Sequence, residues 1–189
     1  MWKYILWGII WTGFIFHWVF SSIKRKKYFE IYAGCGIAIC LTLLVYYLFV
    51  FHRQSDILLF KMVNYIGSIL YILAIIISLI SLFTLKYKGL PETGMENTTV
   101  FIEQGIFKII RHPLYLGLTF WSLALTLIIQ SVCSTVLGII AVFCFWNAGK
   151  KEDGYNLKKF GDRYTEYMNK IPRWNVFKGL GSRFKNSSL

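Results

Sequence analysis

Charge is scarce in this chain, and acidic charge is scarcest. Asp, Glu, Lys and Arg make up 16% of its 189 residues, against about 25% in an ordinary soluble protein. Nine residues are acidic and 21 basic. None of them sits at the centre of a long apolar stretch. That disfavours an ion channel or proton pump built on a buried charged relay. Cys35, Cys40, Cys133 and Cys144 form no C-x-x-C pair, so a zinc site, a thioredoxin-type motif and a disulfide framework all lack support, and no metal site is expected. The four read as small apolar fillers. Gly179-Leu180-Gly181 follows no strand and opens no nucleotide-binding unit.

Apolar residues are plentiful. The hydrophobic fraction is 56%, aromatics are 19%, and the mean hydropathy is +0.53. Disorder is excluded, because disordered chains are poor in aromatics. The excess points to a protein embedded in lipid. Five apolar stretches stand out: Tyr4 to Ile23, Ile31 to Phe51, Leu58 to Leu85, Leu114 to Ile129, and Val132 to Trp146. About 20 helical residues cross a bilayer core of about 30 Å. The last two stretches are shorter and share the brief connection Gln130-Ser131, so they are expected to cross as a hairpin. The first stretch lacks a preceding basic region and an A-x-A-like cleavage site, so it is expected to remain as a first helix.

Basic residues set the orientation. Lys24 to Lys27 follow the first stretch; Lys86, Lys88, Lys108 and Arg111 follow the third; ten more follow the fifth. Of the 21, only Lys3, Arg53 and Lys61 fall on the other side. The expected architecture is all-α: a polytopic bundle of five transmembrane helices with a cytoplasmic C-terminal helical extension. Its N-terminus is outside and its C-terminus inside. It is one membrane domain, 1–189, divided into the first three helices (1–85), a cytoplasmic loop (86–112), a helical hairpin with a cytoplasmic helix (113–173) and a tail (174–189). The basic surface suits an anionic leaflet and needs no nucleic acid.

Polar chemistry gathers in two cytoplasmic segments. Elsewhere His17, alone in the first stretch, reads as a packing residue, and His52 belongs to a polar loop. The first segment runs from Lys86 to the start of the fourth stretch. There Pro113 suits a first helical turn and His112 takes the cap position. Tyr115 projects to the same side. Gly117 offers a place where a ligand approaches the backbone closely. Lys88 to Gln104 reads as a loop long enough to fold over a site. The second segment continues the fifth stretch out of the membrane, from Asn147 to Arg173. Leu157, Phe160, Tyr164, Tyr167 and Ile171 give it one apolar face. Gly161-Asp162 is expected to break this helix and cap a second, stopped by Pro172. Glu152 and Asp153 precede the stripe; on composition they read either as a ligand-binding pair or as a solvated pair relieving the repulsion of neighbouring lysines. A tight hairpin carries Arg111-His112-Pro113 and Lys151-Glu152-Asp153 to the same membrane face.

These residues resemble integral-membrane methyltransferases, a group that includes isoprenylcysteine carboxyl methyltransferase and the small phospholipid N-methyltransferases. The likeness rests on Gly105-Ile106-Phe107 leading into Arg111-His112-Pro113-x-Tyr115-x-Gly117. It continues through Glu152-Asp153, Phe160-Gly161-x-x-Tyr164-x-x-Tyr167 and Ile171-Pro172-Arg173. It covers roughly the last half of the chain. The resemblance implies S-adenosylmethionine bound without a Rossmann fold. It implies contacts from His112, Pro113, Leu114 and Tyr115, with close approach at Gly117. Glu152 would hold the adenosine part, assisted by Asp153, while Thr99, Val100, Phe101 and Ile102 wrap the cofactor and Phe107 stands at an aromatic position. The acceptor would be a lipid or prenylated molecule bearing a carboxylate or an amine; His112 is the candidate base for an amine. The prenylcysteine enzymes place an Arg one turn before the acidic residue; here Ala148 stands there.

Two rival readings remain. Membrane sterol reductases resemble the same C-terminal pattern, with Lys159-Phe160-Gly161 at a shared turn, and would use NADPH; Leu114 and Leu118 stand where they often carry Asn and Glu. The third reading is a non-catalytic scaffold binding anionic lipid.

Overall fold

A segment crossing a bilayer must satisfy its own backbone hydrogen bonds, which favours helices. The computed structural model describes residues 13, 16, 18–49, 57–89 and 101–186. Every regular element among them is helical: α1 (Tyr28–Phe49), α2 (Leu58–Lys88), a single 3-10 turn (Gly105–Lys108), α3 (Pro113–Ile129), α4 (Val132–Phe160), α5 (Asp162–Lys170) and α6 (Val176–Asn186). His17, His52, Thr99, Val100 and most of the first apolar stretch lie outside the described residues.

Among the described residues three helices, α1, α2 and α4, are long and apolar enough to cross a membrane. Helix α3 is a shorter apolar helix of 17 residues; at 1.5 Å per residue it reaches about 26 Å, the lower end of a spanning length. Leu59, Ile66, Ile69, Ile76 and Phe83 lie exposed along α2. A row of that kind is what a helix offers to lipid.

Helix α2 packs along α3, and α1 along α4. The α3–α4 hairpin joins the two pairs around Cys40, Leu125, Ile129, Ala141, Phe145 and Ala148. Its turn is closed locally. Gln130 takes the left-handed conformation (φ 52°) and donates from Nε2 to the Phe60 carbonyl at 2.8 Å. Ser131 and Ser134 cap the start of α4 reciprocally. The tight return places the far ends of α3 and α4 side by side.

Helix α4 runs fourteen residues past the apolar stretch that ends at Trp146, in accord with the expected extension. Gly161 (φ 59°) ends α4 and starts α5, and α5 stops one residue before Ile171-Pro172. Glycine reaches that left-handed φ without the Cβ penalty. Within the expected tail, Val176–Asn186 forms α6.

Gly117 corrects an expectation. A Cβ there would collide with the Ser78 hydroxyl and come within 3.2 Å of the Ala74 carbonyl. The close approach that glycine permits is that of α2 against α3, and Gly117 does not line the cavity described below.

Candidate functional site

The site begins at the N-terminus of α3. His112 holds the cap position with Pro113 at the first helical position, yet its imidazole makes no cap hydrogen bond. The ring turns instead to α4: Nε2 lies 2.7 Å from Asp153 Oδ1. Asp153 is 3% exposed, and four groups converge on its carboxylate. Tyr164 OH donates to Oδ1 at 2.8 Å. Arg173 donates to Oδ2 from Nε at 2.9 Å and from Nη2 at 2.7 Å. Arg111 Nη2 stands 3.3 Å from Oδ2. A buried carboxylate is tolerated only with such partners.

The electrostatics follow. Burial alone would push the Asp153 carboxyl up, but the hydrogen bond and charge of His112, then Tyr164 and Arg111, hold it well below the usual carboxylate range. Asp153 lies in the polar part of α4, past its apolar stretch. Burial, reinforced by the Asp153 charge, pushes the Tyr164 phenol up, so Tyr164 keeps its proton and remains a donor. An ionised carboxylate only accepts. The Nε2 facing Asp153 therefore carries a hydrogen, and in the neutral ring Nδ1 is the acceptor. Nδ1 lies 3.6 Å from Glu152 Oε2.

Backbone contacts tie the α5 exit to the same place. Arg111 N–H donates to the Pro172 carbonyl at 3.0 Å, and His112 N–H to that of Arg173 at 3.4 Å. Arg111 Nη1 reaches the Met168 carbonyl at 2.7 Å. Tyr167 OH donates to the Phe107 carbonyl at 2.6 Å.

A cavity of about 200 Å³ opens beside these groups. Of the expected site residues, Phe101, Ile102, Phe107, His112, Pro113, Leu114, Tyr115 and Glu152 line it. Asp153 does not; it stands behind His112, contrary to its expected contact with a ligand, and it is neither solvated nor pairing with the exposed Lys150 and Lys151. The walls are strongly aromatic. Phe101 packs against Phe160, Tyr164 and Tyr167 with ring centroids 4.9–5.5 Å apart. The His112 and Tyr115 rings stack at 5.7 Å.

Sequence reasoning missed several participants. Phe29 and Leu85 reach the cavity from α1 and α2, and Asn156 from α4; no local signal marks them. Tyr164 reads as part of an apolar stripe and Arg111 as part of a basic membrane face, and nothing in the sequence places either of them, or Arg173, on the Asp153 carboxylate. Ala148 is fully buried and does not line the cavity. The guanidinium nearest the acidic doublet comes from Arg173, whose chain passes Gly149. Arg111 Nε is buried without a hydrogen-bond partner.

Chemically, the arrangement joins a flat aromatic slot, one carboxylate that still faces the cavity, and an oriented imidazole. Aromatic faces suit a planar base or a cation. The carboxylate suits hydroxyl or ammonium donors.

Comparisons with known proteins agree with this picture. The chain is 27% identical to the protein-S-isoprenylcysteine O-methyltransferase of Saccharomyces cerevisiae over 114 residues, which are 59% of this chain and 48% of that one. Identity to the enzyme of the same name from Schizosaccharomyces pombe is 30% over 74 residues, 39% of this chain and 31% of that one. A probable protein-S-isoprenylcysteine O-methyltransferase of Oryza sativa subsp. indica is 23% identical over 112 residues, 58% of this chain and 59% of that one. The resemblance read from the motifs is borne out by these relatives, though the chain spans only about a third to three fifths of their lengths. No solved structure matches. The family model described as NnrU protein matches residues 10–175, and the chain belongs to that family.

Proposed function

We propose that this protein is an integral-membrane methyltransferase that moves a methyl group from S-adenosylmethionine to a lipid-borne or prenylated acceptor, a carboxylate or an amine. One observation carries the reading: His112 and Glu152, 40 residues apart, line one cavity at the joined ends of α3 and α4. The names of the relatives support the reaction class.

The residues present fit the cofactor. Phe101, Phe107, Tyr115 and Phe160 offer a slot for the adenine, and Glu152 faces the cavity with an acceptor for ribose hydroxyls or an ammonium. S-adenosylmethionine, when bound, supplies an electrophilic methyl on a sulfonium. The chain's own task is then alignment and exclusion of water. Ile102, Phe107, Phe160 and Tyr164 line the same cavity and are the apolar groups available to exclude water from it. A carboxylate acceptor needs no base. For an amine acceptor, His112 Nδ1 is the atom placed to take the proton, because Asp153 holds the opposite nitrogen.

The membrane arrangement proposed with it has five spans, the first apolar stretch and α3 crossing alongside α1, α2 and α4, with the N-terminus outside. The distribution of basic residues supports it.

Purified protein in detergent is expected to bind S-adenosylmethionine in a calorimetric titration. It should also incorporate radiolabelled methyl into membrane lipid or prenylated thiol substrates. Absence of cofactor binding by folded protein overturns the reading. Binding of NADPH in a nicotinamide fluorescence titration, in its place, would move the chain to hydride transfer.

A further inference from the structure

We propose that α6 is a membrane-surface helix, and that its partner is the anionic headgroup layer of the bilayer in which the protein sits. The inference rests on the apolar part of α4 lying in the bilayer and is independent of methyl transfer.

Two contacts fix the level at which α6 runs. Trp174, two residues before the helix, packs edge-on against Trp146 with ring centroids 4.9 Å apart. Trp146 ends the apolar stretch of α4; Asn147 follows, and the first lysine comes at Lys150. Trp residues favour this boundary between hydrocarbon and water. Gly179, inside α6, lies with its backbone directly against the Ile109 carbonyl. Ile109 stands four residues ahead of Pro113, where the apolar helix α3 begins. Both anchors therefore hold α6 where two apolar helices leave the membrane.

The helix's rotation follows from the second contact. Successive residues turn by about 100°, so the residues two before and two after Gly179 face away from it. Gly179 is buried; Phe177 and Gly181 are exposed, Phe177 at 88%. An aromatic ring on the face turned away from the protein is the group an interfacial helix buries at the boundary of headgroups and acyl chains. Lys178 is exposed too. From Val176 to Asn186 the sequence holds Lys178, Arg183 and Lys185 and no acidic residue. A short helix with an outward aromatic ring and only positive charge suits the interface of an anionic leaflet.

The placement has a consequence for the site. Arg173, which grips Asp153, is the residue before Trp174. Seating α6 on the headgroups would hold that grip in place.

The test uses the full chain without cofactor, in nanodiscs of phosphatidylcholine alone or with a minority of phosphatidylglycerol, read by amide hydrogen exchange over residues 176–186. Exchange should be about tenfold slower in the anionic discs, as expected for several basic residues near a charged surface. The combined substitution K178E, R183E and K185E should abolish the difference between lipids. F177D should speed exchange in both. Protection of residues 136–145 in α4 reports that each variant is folded. Equal exchange in the two lipids, or no change with F177D in folded protein, overturns the proposal.

Discussion

His112 and Asp153 are 41 residues apart in the chain and 2.7 Å apart in space, Nε2 against Oδ1. The pair joins α3 to α4 at the candidate site and sets which imidazole nitrogen faces Glu152. Asp153 thus fixes the orientation of the His112 ring, and its partners are as informative as its charge.

The pH dependence of stability has a definite sign. The Asp153 carboxyl is held low in the folded protein, so its contribution is fully present above the ordinary Asp value of about 3.9. It is lost as pH falls below that value towards the folded one. Unfolding followed against pH in detergent should show stability dropping in acid, and D153N should flatten that drop. D153A leaves buried Arg111 without its carboxylate and should cost about 3–5 kcal/mol.

Glu152 should behave differently. It is half-buried, lines the cavity and, among the described residues, forms its ion pair with His112, at 3.6 Å. E152Q is expected to leave the unfolding midpoint nearly unchanged and to weaken S-adenosylmethionine binding about 10- to 100-fold, the worth of a charge-assisted hydrogen bond. Calorimetry on E152Q beside the parent checks it. Equal affinity in the two proteins removes Glu152 from the cofactor site.

Arg173 donates twice to one oxygen and also lies 4.9 Å from the Trp146 ring centroid. Lysine keeps the charge but not the planar fork. R173K should therefore lose about 1–2 kcal/mol of stability, and R173A more. Full retention in R173K would show that charge alone suffices.

Helix packing gives a prediction clear of the site. G117A drives a methyl group into Ser78 and the Ala74 carbonyl and should destabilise by about 1–3 kcal/mol. Gly154, inside α4, has open space around it. G154A should be neutral or stabilise by about 0.5–1 kcal/mol. A denaturant series on both variants tests the contrast.

Much of this was legible without coordinates. Helices α1 to α4 are each built on an expected apolar run, because a bilayer leaves the backbone no other local solution. Gln130-Ser131, Gly161 and Pro172 announced the ends of α3, α4 and α5, because turns and caps depend on a few neighbouring residues. The tight turn also foretold that His112 and Glu152 would meet.

What each side chain faces was not legible. Glu152 and Asp153 are adjacent in sequence, yet about 100° apart around α4. One turns to the cavity and the other is gripped by Arg111, His112, Tyr164 and Arg173. Gly117 read as room for a ligand and proved to be room for α2. The sequence by itself determined that α1 to α5 are helices, where α3, α4 and α5 end, and that the polar groups of α3 and α4 gather at one end, since these obey local rules. Only the tertiary structure decided which carboxylate is available and which is consumed. That choice depends on cations drawn from segments tens of residues away, and burial makes their presence compulsory.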